Sequence, residues 1–435
     1  MPIPYPPTPV PVPETPMRAR ASLRRPRMLA LLAAGLLTCL LAACGGGGGG
    51  GSHTGTPGTL LNTTVLSQVS VGLLRDILAE DIPAMAALPP AERAALTAEV
   101  QQSVRLVAFE YLTTGPAGDT RTASALAMLP AAPTAAAATV AYLHGTSTRR
   151  DDIPSAGDYG ENVPVAALFA ARGRLVVLPD YLGLGRSDLP YHPYLHRDSL
   201  AAAGRDALIA AVELARRQSL ALDGQLFVVG YSEGGFAAGA LQRRLSQAPL
   251  ATLALRGTMS IAGPLDLPEA VRITLSTEPA TGRDSGRSIY TAFTAWAYQR
   301  VYGDVYARPG DFFESAWADS LDALFDGTKG ADVIGAALPP SPLALVRPGV
   351  RAAVLDGSHP VATRVLANDV IDLNPPAPLI SCHGTDDDTV PFAVTRAAQA
   401  RMAARGAVLT VVALLGPSHD TAYDTCLVRA AQVFR

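Results

Sequence analysis

Short apolar runs alternate with amphipathic stretches between residues 105 and 435. The runs predict six buried strands, at residues 139–143, 174–178, 226–229, 257–261, 378–382 and 407–414. Apolar residues three and four positions apart predict helices at residues 199–218, 233–247, 393–404 and 422–434. Continuous apolar strands that alternate with helices predict an α/β fold with a mostly parallel central sheet flanked by helices. Chemistry is then expected at the carboxyl ends of the strands.

Residues 265–376 interrupt this alternation, because they contain no convincing strand pattern. Ten aromatic residues fall between Tyr290 and Phe325, and two helices are predicted there, at residues 288–302 and 311–325. We interpret the segment as a mainly helical cap inserted between core strands 6 and 7, with the core at residues 60–264 and 377–435. Most of the aromatic rings are expected to form the core of the cap, and a few to face a binding cleft.

The N-terminal residues 1–44 are typical of an export signal. A proline-rich tract, residues 1–16, precedes Met17, which is a second candidate start. Five arginines follow it, and then sixteen uncharged, mostly apolar residues, fewer than the roughly 20 that span a membrane. The segment closes in LAAC, which resembles the lipobox of bacterial lipoproteins and implies lipidation of Cys44. The mature protein is then exported and lipid-anchored to a bacterial membrane, in the periplasm or at the cell surface, through a Gly-rich tether at residues 45–59. An ordinary secretory signal with a chance cysteine is the alternative.

The composition, net charge and cysteines of the chain limit the class of protein and the kinds of partner that are expected. The 435 residues are 49% hydrophobic and 17% charged, which is typical of a globular protein, and the net charge of −3 does not favour nucleic acid. Of the four cysteines, Cys39 leaves with the signal and Cys44 carries lipid. Cys382 and Cys426 remain as a pair in an oxidising compartment, which predicts a disulfide. Two buried free thiols are the alternative.

The stretch GYSEGG, residues 230–235, follows a predicted strand and opens a predicted helix. The pattern G-x-S-x-G in that context is typical of a nucleophile elbow, where glycines let neighbouring backbone pass close to the serine. We therefore predict Ser232 as the nucleophile. The N-terminus of the following helix offers free N–H groups to a developing oxyanion, and Glu233 is the expected first donor.

A serine hydroxyl needs a base and an orienting acid. Behind such an elbow the acid and then the histidine follow in chain order, and His419 is the last histidine of the chain. His419 is therefore the predicted base. The turn after the strand at 139–143 is expected to give the second oxyanion donor, Thr146, with Gly145 as runner-up. Three consecutive carboxylates compete for the role of the acid: Asp386, Asp387 and Asp388.

Taken together, these motifs resemble the α/β-hydrolases, and more narrowly the secretory-lipase family that includes the fungal lipase A-type enzymes. The likeness rests on GYSEGG, on PDYLGLG at residues 179–185 with HPYLH just after it, on HGTDDDTVP at residues 383–391 and on the C-terminal SHD. HGTDDDTVP resembles the HG-x-x-D-x-x-VP pattern that carries the acid in many α/β-hydrolases, which implies that Asp387 is the acid. The family implies carboxyl-ester hydrolysis through an acyl-enzyme, with no cofactor and no metal, on a small-molecule or lipid ester.

Other functions use the same residues. A serine peptidase of the tripeptidyl or prolyl aminopeptidase type, or an acyltransferase, would need the same serine, histidine and acid. A binding lipoprotein that kept the fold without catalysis is a further alternative. The spacing of His192 and His196 suits metal ligands, but Pro193 lies between them and no carboxylate completes a zinc motif, so no metal site is predicted.

Overall fold

The structure, a computed structural model, describes residues 55–157, 159–279, 286–371 and 375–434. The predicted signal segment, Cys44 and most of the tether lie outside these residues. In the described part of the chain, none of the helices combines the length and the apolar character needed to cross a membrane.

One sheet of nine strands forms the centre of the fold, in the spatial order β1-β2-β3-β5-β4-β6-β7-β8-β9. The contacts β1/β2, β2/β3 and β3/β5 are antiparallel, and all others are parallel. The strands are β1 Leu60–Val69, β2 Val104–Thr114, β3 Thr120–Pro130, β4 Ala137–Leu143, β5 Leu175–Pro179, β6 Leu222–Tyr231, β7 Ala254–Ile261, β8 Leu379–Gly384 and β9 Leu409–Leu414.

Helices connect the parallel strands and fill the cap. The core helices are α1 Val71–Glu80, α2 Pro83–Ala86, α3 Pro90–Ala98, α4 Asn162–Leu168, α5 Arg197–Arg217, α6 Glu233–Gln247, α16 Phe392–Ala403 and α17 His419–Val433. Those of the cap are α7 Leu267–Ser276, α8 Arg287–Tyr302, α9 Pro309–Phe312, α10 Ser315–Ala318, α11 Leu321–Leu324, α12 Ala331–Ala337, α13 Pro342–Leu345, α14 Pro348–Leu355 and α15 Pro360–Ala367. Single 3₁₀ turns occur at Pro154–Ala156 and Ala170–Arg172.

Two apolar clusters, one on each face of the sheet, hold the helices in place. Along β6, Leu226 and Val228 belong to one cluster, and Phe227 and Val229 belong to the other. This alternation follows from the two-residue period of a strand. Helices α5, α6 and α16 contribute to the first cluster, and α1, α4 and α17 contribute to the second. The prediction of a sheet covered on both faces is therefore confirmed.

The six predicted strands correspond to β4–β9, and the sheet begins with three more. Strand β1 was not predicted because most of its residues are exposed at the sheet edge, so its sequence carries no buried alternation. Strands β2 and β3 form a long antiparallel hairpin. The helical cap lies at the predicted residues and joins β7 to β8. The predicted numbering, strands 6 and 7, did not count the edge strand β1.

The cap differs from its prediction in one helix. The helix predicted at residues 288–302 is present as α8, but the single helix predicted at 311–325 is wrong. Three short turns, α9 to α11, occupy that segment, because Phe313 is extended and pairs with Val346. As expected, aromatic rings pack on one another within the cap: Phe293 stacks on Phe325 at 4.7 Å.

A disulfide joins Cys382 of β8 to Cys426 of α17, as predicted. Both residues are fully buried, and they lie 44 positions apart along the chain. The bond attaches α17, which begins at His419, directly to the central sheet.

Candidate active site

Ser232 occupies the sharp turn between β6 and α6. Its backbone has φ 55° and ψ −117°, a left-handed conformation that is unfavourable for a residue with a side chain. A Cβ atom at Gly230 would lie 2.0 Å from the carbonyl oxygen of Gly234, and one at Gly234 would lie 1.8 Å from that of Leu143. The turn therefore requires glycine at both positions. The Ser232 N–H donates to the Ile261 carbonyl at 2.8 Å, which fixes the turn to β7.

The register of the sheet brings this turn beside the other predicted site segments. Leu143, at the end of β4, pairs with Gly230 of β6, so the HGT turn that follows β4 lies next to the serine turn. On the other side, β8 pairs with β7 and ends at Gly384, directly before the loop that carries the three aspartates. The carboxyl ends of parallel strands thus meet at one edge, as α/β folds require.

A continuous chain of hydrogen bonds links three predicted residues at this edge. Ser232 Oγ lies 2.9 Å from Nε2 of His419, and Nδ1 of the same imidazole lies 2.7 Å from Oδ2 of Asp387. A carboxylate only accepts, so Nδ1 carries the hydrogen and Nε2 is free to accept the serine proton. The structure therefore brings Ser232, His419 and Asp387 within proton-transfer distance.

Asp387 is the one of the three neighbouring aspartates that the structure places against the histidine. Its Oδ1 accepts the N–H groups of Thr389 at 3.0 Å and Val390 at 2.8 Å. Burial favours the neutral acid, but hydrogen bonds from His383 and His419 outweigh it and lower the pKa of Asp387 to about 2. The carboxylate is therefore charged throughout the neutral range. Asp386 is exposed, and the backbone carbonyl of Asp388 accepts from Arg287.

His383 is a site residue that was not predicted from the sequence. Its Nε2 lies 2.9 Å from Oδ2 of Asp387 and 2.8 Å from the carbonyl oxygen of Val390. Because the carbonyl only accepts, Nε2 carries the hydrogen, and Nδ1 accepts from the hydroxyl of Thr395 at 2.8 Å. His383 thus binds the same carboxylate oxygen, Oδ2, that His419 contacts. The sequence feature that marked His383 was its position in a His-Gly pair at the end of a predicted strand.

The two predicted oxyanion donors have different surroundings. Glu233 is the first residue of α6, where no preceding helical turn can accept its N–H. In the HGT turn the N–H of Gly145 donates to Oε1 of Glu161 at 3.1 Å, so the runner-up is already engaged. Thr146 follows it, and its hydroxyl lies 3.2 Å from that of Tyr194. Thr146 therefore remains the predicted second donor.

The carboxylate of Glu161 stabilises the HGT turn by accepting the N–H of Gly145. It accepts from the hydroxyls of Tyr142 and Tyr159 as well as from Gly145. Burial raises the pKa of Glu161 to about 7, although these three hydrogen bonds act in the opposite direction.

A cavity of about 110 Å³ opens from Ser232 into the cap. We call it the cap cavity. Its wall is mostly apolar, and side chains from α7 and α8 and from the cap's later helices supply most of it. Among its lining residues are Leu195, Leu267, Val271, Tyr290, Phe312, Val354, Val361 and Val365. Tyr290 and Phe312 thus fulfil the expectation that a few cap aromatics face a cleft. A separate, more polar groove passes His419 and is bounded by Thr389, Gly416 and Thr421.

The described residues contain no cluster of three or more histidine, cysteine, aspartate or glutamate side chains arranged to hold a metal ion. His192 and His196 point to different partners. Nε2 of His192 lies against Glu233, and Nδ1 of His196 lies against Ser199 at the start of α5.

A mostly parallel sheet that presents a serine on a strained strand-to-helix turn defines the fold of the α/β-hydrolases. Solved structures bear this out. A protein from Legionella pneumophila assigned as a hydrolase is 25% identical, with a TM-score of 0.77 over 86% of this chain and 97% of its own. The rice cell wall degrading esterase LipA from Xanthomonas oryzae is also 25% identical, with a TM-score of 0.77 over 87% of this chain and 98% of its own.

Candida antarctica lipase A in its closed state has the same fold at 14% identity, with a TM-score of 0.62 over 85% of this chain and 79% of its own. No family profile and no curated protein matches the sequence. The resemblance to the α/β-hydrolases is thus confirmed by the structural neighbours at 25% identity, and lipase A shares the same fold.

Proposed function

We propose that the protein is a serine carboxylic-ester hydrolase that works through an acyl-enzyme. The observation that carries the proposal is the hydrogen-bonded chain from Ser232 through His419 to Asp387, which begins at the wall of an apolar cavity. A serine, a histidine and a carboxylate in this order are the components of nucleophilic acyl transfer.

In the proposed reaction, Ser232 Oγ attacks the ester carbonyl while Nε2 of His419 takes the hydroxyl proton. Asp387 stabilises the imidazolium that forms, because its carboxylate remains charged. The N–H groups of Glu233 and Thr146 stabilise the oxyanion of the tetrahedral intermediate. The intermediate collapses, His419 gives its proton to the departing alcohol, and the acyl group stays on Ser232. Water, deprotonated by His419, then attacks the acyl-enzyme. The second tetrahedral intermediate collapses, the bond to Ser232 Oγ breaks, and His419 returns the proton to Oγ as the acid leaves.

Two features of the structure, the cap cavity and the polar groove, support an ester substrate, and one structural neighbour does so as well. The cap cavity that starts at Ser232 is lined mainly by aliphatic and aromatic side chains, which suits an acyl chain, and the polar groove beside His419 suits the alcohol. The structural neighbour LipA from Xanthomonas oryzae is an esterase. Because the N-terminal segment suggests export, we propose that the substrate is an ester outside the cytoplasm.

Parallel assays on p-nitrophenyl butyrate and on aminoacyl p-nitroanilides test this proposal. We expect the parent protein to hydrolyse the ester and not the anilides, and Ser232→Ala to lower the ester rate by about 10⁴-fold or more. Ser246→Ala on the same helix is the matched control and should keep the rate of the parent. Ester hydrolysis that survives in Ser232→Ala would refute the mechanism. Cleavage of anilides without cleavage of esters would instead assign a peptidase.

A further inference from the structure

The carboxylate of Glu233, the residue that follows the nucleophile Ser232 in the chain, is buried. Its side chain has no exposed surface, Oε1 lies 2.7 Å from Nε2 of His192, and no donor in the described part of the chain reaches Oε2. The backbone N–H of the same residue is the proposed first oxyanion donor. An uncompensated negative charge at this place would oppose the charge that the N–H has to stabilise.

The hydrogen bonds of His192 define its protonation. Nδ1 lies 2.8 Å from the carbonyl oxygen of Leu182, which can only accept, so Nδ1 carries a hydrogen. Nε2 then shares one further proton with Oε1 of Glu233. Either an imidazolium faces a carboxylate or a neutral imidazole faces a carboxylic acid. The His192–Glu233 pair has no net charge in either arrangement.

Aromatic rings enclose this pair. The ring centre of His192 lies 5.8 Å from that of Tyr181, 6.1 Å from that of Tyr194 and 5.9 Å from that of Phe293. The Tyr181 hydroxyl donates to the His144 carbonyl and the Tyr194 hydroxyl pairs with Thr146, so neither compensates Glu233. Burial first, and then the charge of Glu233, raise the pKa of both tyrosines. Within the described chain, His192 is therefore the ion-pair partner of Glu233.

We infer that His192 is a positioning residue of the oxyanion site: it cancels the charge of the Glu233 carboxylate and holds that side chain, so that the Glu233 N–H can stabilise negative charge on the substrate. The inference rests on the proposed function. It also gives a role to PDYLGLG and HPYLH, which supply Leu182 and His192.

The test compares His192→Ala with the double variant His192→Ala/Glu233→Gln. In the single variant the carboxylate loses its partner, and we expect kcat on p-nitrophenyl butyrate to fall about 100-fold, the effect of losing an oxyanion donor, with KM little changed. We also expect a lower Tm, since an unpaired buried charge is destabilising. Glu233→Gln removes the charge at nearly the same shape, so the double variant should regain about tenfold in kcat and most of the Tm.

His196→Ala is the matched control. His196 is a second buried histidine of the same segment, where it caps α5 through Ser199, away from the cap cavity. We expect this variant to lower the Tm while its kcat stays within about threefold of the parent, in line with an ordinary cap substitution.

The inference is overturned if the double variant recovers neither kcat nor Tm, because a role in packing alone would not depend on the charge of Glu233. It is equally overturned if His196→Ala loses kcat as severely as His192→Ala. Failure of the proposed function would appear separately, as a parent protein without ester hydrolysis. The Tm comparison would then still decide whether His192 compensates Glu233.

Discussion

The left-handed backbone conformation of Ser232 is strained, and contacts with the rest of the site maintain it. A non-glycine residue in this conformation costs on the order of 1–3 kcal/mol, and it persists only where surrounding contacts enforce it. Here the N–H bond to Ile261 and the close approach of the flanking glycines enforce it. The strain directs the hydroxyl to His419.

The ionisation of Asp387 makes the stability of the folded protein depend on pH in the acidic range. Its pKa is lowered to about 2 in the folded protein, so its ionisation stabilises the fold above the ordinary pKa of an aspartate and this contribution is lost as the pH falls from about 4 to about 2. The shift corresponds to about 2 kcal/mol. We expect the free energy of unfolding in urea to fall across this window in the parent, and to fall by about 2 kcal/mol less in Asp387→Asn, which lacks this contribution.

Asp386→Asn, a change at the exposed neighbour, should behave like the parent and serves as the control for Asp387→Asn. If the parent and Asp387→Asn lose stability in parallel between pH 4 and pH 2, as approximate limits, the assigned ionisation is wrong.

At the scale of residues, motif spacing and chain order were sufficient to predict some of the residues that meet at the candidate site. Ser232 stands in a local pattern, and His419 is the last histidine of the chain. Asp387 was separated from its two neighbours only by resemblance, because three adjacent carboxylates have the same local chemistry. His383 and Glu161 were not assigned: HG at a strand end marked the position of His383, but the roles of both residues depend on contacts with Asp387 and Gly145 that only the folded chain creates.

At the scale of elements, the junction of β6 and α6 depends on the absence of a side chain at Gly234. A methyl group there would meet the carbonyl oxygen of Leu143, which belongs to the backbone of β4 and cannot rotate away. We expect Gly234→Ala to destabilise the protein by about 3 kcal/mol or more, measured by urea unfolding.

Gly349→Ala provides a matched control for that substitution. Gly349 is likewise the second residue of a helix, α14, but a Cβ there meets nothing within 4 Å. Alanine favours the helix by up to about 1 kcal/mol over glycine, so this variant should be as stable as the parent or slightly more so. Equal destabilisation by both variants would contradict the steric explanation.

The disulfide joins a strand and a helix that both lead to the site. Closing a loop of 44 residues stabilises by about 4 kcal/mol in the chain-entropy model. We expect Cys382→Ser/Cys426→Ser to lose stability of that order in urea, and reduction of the parent with dithiothreitol to give the same result. A double variant as stable as the oxidised parent would show that the bridge contributes nothing.

Several of the strands that were predicted correctly are fully buried, although β3, which is also buried along most of its length, was not predicted. Strands β4, β5 and β8 are buried along nearly their whole length, and β6 and β7 are buried in their second halves, so these sequences reflect their surroundings. Strand β1 is half in solvent and gives no such signal. The segment at 311–325 has helical spacing, but the bridge between Phe313 and Val346, a contact between distant parts of the cap, breaks it.

At the scale of the whole molecule, we propose that the mature chain begins at a lipidated Cys44. Lipid attachment through several acyl chains would hold the hydrolase on a membrane, since each buried CH₂ contributes roughly 0.8 kcal/mol. We expect mass spectrometry of the protein extracted from membranes to find a diacylglyceryl group on an N-terminal Cys44. Cys44→Ala should abolish membrane association, whereas Cys39→Ala, five positions earlier in the same segment, should not. An unmodified N-terminus in the membrane fraction would contradict the proposal.

Covalent labelling with a fluorophosphonate probe, followed by peptide mapping, tests most directly whether Ser232 is a nucleophile that His419 activates. The probe reacts only with a serine whose base can take its proton, and its phosphonyl oxygen occupies the place of the oxyanion. We expect a single adduct on Ser232, formed much more slowly in His419→Ala and absent in Ser232→Ala. An unlabelled protein that hydrolyses esters, or an adduct on another serine, would contradict this expectation.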